Sequence, residues 1–137
     1  MTLYLDTSVV IPLFIEDDHA PRVRHWARSA QNIALSAWTL TEATSALSMQ
    51  VRMKHITDAE RGALEDRLDT WARRSRIVAF EPACLDDARR LLRRHSRLRA
   101  PDALHLAIAA WHGLDLATLD GVLRDAAVAE GLKVADL

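Results

Sequence analysis

Leu3-Tyr4-Leu5-Asp6-Thr7-Ser8-Val9-Val10 is the stretch on which the fold turns. Leu3-Tyr4-Leu5 reads as a short buried strand, and Asp6-Thr7-Ser8 ends it at once. An apolar helix then begins, over residues 9–15. A strand that is apolar along its whole length is covered on both faces, and a helix following it directly is the start of a strand–helix–strand unit.

The same alternation continues down the chain. Residues 33–35, 77–80 and 114–118 read as further strands, with 132–134 as a short last one. Helices are expected over 18–30, 38–53, 57–74, 82–95, 101–111 and 121–130. Thr57-Asp58-Ala59-Glu60 is a capping-box pattern. Pro82 and Pro101 suit the first helical turn, and Gly113 suits a helix end. Val23, Trp26 and Ala30 share one helix face; Leu104, Ala107, Ile108 and Trp111 share another. Apolar strands separated by helices imply an α/β fold with a central parallel sheet of four to five strands and helices on both faces. The whole chain, 1–137, reads as one domain with no linker.

Half of the chain is hydrophobic and 27% is charged, the balance of a globular protein with a core of its own. Cys84 is the only cysteine, which excludes an intrachain disulfide and a zinc cage of several thiolates, and leaves a small buried hydrophobe as its plain reading. No run of 18 apolar residues marks a membrane span, and the first residues lack a signal peptide's basic start, so a cytoplasmic setting is expected. The formal net charge is −1, from 18 basic and 19 acidic residues, which argues against a protein that coats nucleic acid.

Four carboxylates stand where strands end and helices begin: Asp6, Glu42, Asp102 and Asp120. In a parallel sheet those positions share one edge. Each has a plain structural reading. Asp6 and Asp120 suit helix N-caps, Thr39-Leu40-Thr41-Glu42 suits a capping box, and Asp102 suits a first turn. Together they point further. Carboxylates that converge in a partly buried cleft repel one another until a proton or a cation intervenes. All-oxygen donors suit Mg²⁺ or Mn²⁺ rather than zinc, and such ions serve phosphoryl chemistry.

Tyr4-Leu5-Asp6-Thr7-Ser8-Val9-Val10, Thr41-Glu42-Ala43, Pro101-Asp102-Ala103-Leu104-His105-Leu106-Ala107 and Ala117-Thr118-Leu119-Asp120, in that order, resemble the PIN-domain nucleases. More narrowly they resemble the VapC-type toxins of type II toxin–antitoxin pairs. The resemblance spans essentially the whole chain. It implies a PIN-like, Rossmann-like three-layer fold and a Mg²⁺- or Mn²⁺-dependent endoribonuclease leaving a 5′-phosphate and a 3′-hydroxyl. It assigns Asp6, Glu42, Asp102 and Asp120 as the acidic site. Asp6 and Asp102 would bridge the ion; Glu42 and Asp120 would complete its surroundings or hold a second one. Thr118, two residues before the last acid, and Thr7 or Ser8 would support them. It also implies an RNA substrate, a homodimer and a cognate antitoxin that blocks the cleft. One departure stands out: Gly121-Val122-Leu123 follows Asp120 where many relatives carry basic or aromatic residues.

Other features have two readings each. Arg89, Arg90, Arg93, Arg94, Arg97 and Arg99 form either a solvated face paired with Asp86 and Asp87, or a phosphate track in which Arg97 and Arg99 touch substrate. His105, three residues after Asp102, is a structural histidine, a metal ligand or a proton carrier. The four tryptophans suit packing better than base stacking, and the span from Trp38 to Trp71 is a candidate partner surface. A PIN-like module that binds RNA or protein without catalysis is the alternative to the nuclease. A receiver domain fits worse: Asp6 has no adjacent acid, and Lys133 is poorly placed. Setting the four site acids aside moves the net charge from −1 to +3, so the balance describes a small acidic site in an arginine-rich surround.

Overall fold

The computed structural model describes residues 2–137. Its sheet is built from β1 (Leu3–Leu5), β2 (Ile33–Ser36), β3 (Arg76–Val78) and β4 (Asp115–Ala117), all parallel, in the order β3-β2-β1-β4. Tyr4 pairs with Ala34 on one side and Leu116 on the other, so β1 is a central strand. Side chains alternate along it. Tyr4, Ala34 and Leu116 enter one core cluster; Leu5, Leu35 and Ala117 enter the other.

Each cluster is closed by its own helices. α1 (Thr7–Phe14), α2 (Ala20–Ala27), α3 (Ala37–Arg52) and α4 (Asp58–Ala72) cover the Leu5 face through Val9, Val10, Val23, Ala43 and Leu68. α5 (Pro82–Arg94), α6 (Ala100–Trp111) and α7 (Gly121–Ala129) cover the Tyr4 face. The result is the expected three-layer α/β/α arrangement. α6 is its most buried helix, with every residue from Ala103 to Ala109 buried. Fully burying Leu106 or Ile108 contributes about 1.5–3 kcal/mol each. Gly113 follows α6 at φ +62°, the left-handed conformation that ends a helix without a Cβ clash. Cys84 is buried, as a small hydrophobe should be.

The order of the strands matters for function. The chain runs outward from β1 to β2 and β3, then returns to place β4 on the opposite side of β1. The reversal opens a crevice between the carboxyl ends of β1 and β4, where parallel sheets bind their ligands. Asp6 follows β1, and Thr118 and Asp120 follow β4.

Several expectations are corrected. The strand at 132–134 is a single bridge, Leu116 to Val134: Leu116 donates to the Lys133 carbonyl (2.9 Å) and accepts from the Ala135 N–H (2.8 Å), and the pairing extends no further. The strand expected at 77–80 is Arg76–Val78; β3 is an edge strand, and Phe80, beyond its end and two residues before α5, is 43% exposed. Trp111 closes α6 past the buried run and is 51% exposed rather than inward. Thr39 does not cap α3. Ser36 does, accepting from the Thr39 N–H, which frees Glu42 from any capping box. Thr57 and Glu60 do form theirs. Trp38 packs on the Tyr4 face and Trp71 on the Leu5 face, so the two do not share one partner surface. Among the described residues, no helix is long and apolar enough to cross a membrane.

Candidate active site

Asp6 is the N-cap of α1 and is almost fully buried. Its Oδ1 accepts from the Ser8 hydroxyl (2.6 Å) and the Val9 N–H (3.3 Å), and its Oδ2 accepts from the Thr118 hydroxyl (2.5 Å). A carboxylate offers about four acceptor positions. Three are filled here, and the remaining one lies on Oδ2. Burial pushes the Asp6 carboxyl up, against the hydrogen bonds of Ser8 and Thr118 that favour its charge.

Ser8 and Thr118 also sew the two strand ends together. Ser8 Oγ accepts from the Leu119 N–H (2.9 Å), and Thr118 Oγ1 accepts from the Asp120 N–H (3.0 Å). Asp120 in turn caps α7, its Oδ1 accepting from the Leu123 N–H (2.8 Å). Asp102 stands in the first turn of α6, with 17% of its side chain exposed and Arg99 Nε 3.7 Å from its Oδ2. Burial, then the charge of Asp120, push its carboxyl up; Arg99 opposes them and Asp6 adds to them.

Glu42 enters from the second turn of α3. Its Oε1 accepts from the Thr7 hydroxyl (2.8 Å) and from His105 Nε2. Burial pushes its carboxyl up, but the hydrogen bonds of His105 and Thr7 outweigh that and hold it below the usual carboxylate range. The same histidine meets the Tyr4 hydroxyl through Nδ1 (2.8 Å).

A profile of the PIN domain matches residues 3–129. The chain belongs to the PIN domain family. Solved structures agree on the fold. FitAcB from Neisseria gonorrhoeae is 25% identical, with a TM-score of 0.71 over 98% of this chain and 97% of that one. VapC20 from Mycobacterium tuberculosis, a sarcin–ricin loop cleaving toxin, is 18% identical, with a TM-score of 0.73 over 96% of each chain. VapBC2 from Rickettsia felis, bound to a DNA fragment from its promoter, is 18% identical, with a TM-score of 0.69 over 98% of each chain. No curated protein matches the sequence.

In this PIN domain Asp6 and Asp120 cap the helices that follow β1 and β4, and Glu42 comes from α3 after β2, but Asp102 comes from the connection between α5 and α6 and not, as expected, from a strand end. Asp102 feels the charges of Asp120 and Asp6, while Glu42 is tied to Thr7 and His105. Among the described residues no cluster of three Asp, Glu, His or Cys side chains is placed to hold a metal ion. Mg²⁺ does not require one; it keeps several waters and takes one or two carboxylates. The donor set fits such an ion, because it is all oxygen and because Asp6 and Asp102 both carry a charge that burial penalises. Arg99 lies beside Asp102 and is well exposed, whereas Arg97 lines a shallow groove with Leu98, Val122 and Asp125 near the start of α7. The roomier groove of about 500 Å³, lined by Phe14, Ile33 and Trp71, holds none of the four acids.

Tyr4 has a part that its sequence context does not announce, since there it is only a strand residue. The available signal was a tyrosine inside an apolar strand, whose buried hydroxyl must find partners. Ser36 and Thr39 supply two of them, at 2.8 Å and 3.2 Å.

Proposed function

We propose that this PIN domain is a Mg²⁺- or Mn²⁺-dependent endoribonuclease, the toxin of a toxin–antitoxin pair. What supports the reading is that Asp6 and Asp120 follow the adjacent strands β1 and β4, and that Asp102, whose carboxyl burial pushes up, feels the charge of both. Asp6 and Asp102 would hold the ion, with Glu42 and Asp120 beside it. When bound there, a divalent ion activates water and offsets the charge that builds on the phosphoryl oxygens.

The chain's own residues do the rest. Ser8 and Thr118 fix the Asp6 carboxylate by three hydrogen bonds together with the Val9 N–H, so its free acceptor position is preset. Thr118 joins Asp6 to the backbone of Asp120, which makes the two acids one unit. Arg99, and Arg97 further along, meet the phosphates of the RNA and draw it to the acidic crevice. The structural neighbours include toxin–antitoxin complexes, which supports a cognate antitoxin as the protein partner.

The test is cleavage of total RNA with the purified protein, in Mn²⁺ and in EDTA, with end mapping. Cleavage should need the ion and should vanish in Asp6→Asn and in Asp102→Asn. Full activity in both variants, or in EDTA, would refute the reading. RNA binding without cleavage would favour the non-catalytic module.

A further inference from the structure

A chain of buried polar side chains runs beneath the site and reaches it at a single atom. It starts at Ser36 and Thr39, both fully buried, which bracket the Tyr4 hydroxyl. Thr39 Oγ1 also donates to the Leu5 carbonyl (3.3 Å), which ties the cluster to β1. The Tyr4 hydroxyl continues to His105 Nδ1, and His105 Nε2 meets Glu42 Oε1 and lies 3.3 Å from the Thr7 hydroxyl, which bonds the same Glu42 oxygen. His105 is 1% exposed and Tyr4 is fully buried. The chain joins β1, β2, α3 and α6, so it references one carboxylate oxygen to four elements of the fold.

The distribution of these bonds is uneven. Glu42 Oε1 receives both Thr7 and His105, which occupy its two acceptor positions. Among the described residues Oε2 has no hydrogen-bond partner, and 26% of the Glu42 side chain is exposed. One oxygen is thus held and the other is left without a partner. Burial also pushes the Tyr4 hydroxyl far above its ordinary range, so it keeps its proton. A buried polar group of this kind costs stability unless it is paired. Here Tyr4, His105, Ser36 and Thr39 pair with one another, and the only member of the chain that reaches solvent is Glu42.

We propose that His105 and Tyr4 are positioning residues, which lock Glu42 Oε1 so that Oε2 faces the crevice as the donor to the divalent ion or its water. The inference rests on the metal site proposed above. It separates the two acids that flank β1. Asp6 is oriented from β4 by Thr118, and Glu42 is oriented from α6 by His105.

The readout is the dissociation constant of Mn²⁺ alone, measured by calorimetry on the full chain without RNA. Substitutions that unseat the partner of a metal-binding carboxylate typically cost 10- to 100-fold in affinity. His105→Leu should weaken Mn²⁺ by about that factor, as should Glu42→Gln, and the double variant should be no weaker than Glu42→Gln alone. His105→Gln, which keeps an N–H near the place of Nε2, should recover part of the loss. Tyr4→Phe should lose less, in the same direction. Wild-type Mn²⁺ affinity in a folded His105→Leu, or losses that simply add in the double variant, would overturn the proposal. If His105→Leu does not fold, wild-type affinity in both His105→Gln and Tyr4→Phe would do so. Equal Mn²⁺ binding by the wild type and Asp6→Asn would instead remove the metal site, and this inference with it.

Discussion

Replacing Thr118 with valine removes one hydroxyl and almost no volume. That hydroxyl is fully buried, donates to Asp6 Oδ2 at 2.5 Å and accepts from the Asp120 N–H at 3.0 Å. A hydrogen bond to a charged group contributes about 1.5–3 kcal/mol, and we expect a loss of about 2 kcal/mol with Asp6 ionised. Unfolding entropy scales at about 2.1 cal/mol/K per residue, which makes that loss a fall in Tm of about 7 °C for this chain. The sign of the pH dependence follows from Asp6. Its folded carboxyl already lies above the unfolded value, and the lost bond pushes it higher still. Below the unfolded value Asp6 is protonated in both states, so the two proteins should differ least there. As pH rises through the folded values, the variant should fall progressively further behind. The assay is urea unfolding in EDTA across pH 4 to 8, with Thr118→Ser as the control that keeps the hydroxyl. A stability gap that stays constant with pH, or no gap at all, would show that Thr118 does not support the Asp6 anion.

Other predictions rest on the same geometry. Asp102→Asn removes a charge that burial and Asp120 both disfavour; it should raise Tm in EDTA at pH 7 and abolish the stabilisation by millimolar Mn²⁺ expected of the wild type, both read by thermal melts. Arg97→Ala with Arg99→Ala should weaken RNA binding and flatten the plot of log K against log salt by roughly 0.7 for each phosphate no longer neutralised, measured by filter binding between about 50 and 200 mM salt. Glu60→Ala opens the capping box of α4 and should cost about 1 kcal/mol in urea unfolding without changing Mn²⁺ affinity, since Glu60 bonds Thr57 and none of the four acids.

The sequence carried the layer plan because the central strand β1 and its neighbour β2 are apolar over most of their length and most helices begin at a hydroxyl, a carboxylate or a proline. Asp6 and Asp120 show why motif residues are easier to find than to interpret. Both are helix caps, as local chemistry suggests, and both stand at the crevice, as the topology requires. Glu42 went the other way. Its capping-box pattern is a coincidence of spacing, because Ser36, three residues earlier than Thr39, had already taken the cap. The network from Ser36 to His105 was hidden because its links cross 32 to 101 positions of sequence. No local pattern reports a pairing of that range. Trp111 and the 132–134 stretch failed for a simpler reason: both lie where the buried layers stop, and periodicity does not mark an edge.

Asp6 and Thr118 are partners 112 residues apart. The first acid of the site is made almost at once, but the hydroxyl that orients it, and Asp120 beyond, arrive only after six of the seven helices have been synthesised. At about 5–20 residues per second the interval from Asp6 to Thr118 is on the order of 6–22 s. A growing chain carries the early carboxylate without its Thr118 partner throughout that time. On the nuclease reading proposed above, the order of the strands delays the site, since the Asp6 carboxylate gains its Thr118 partner only when β4 has docked.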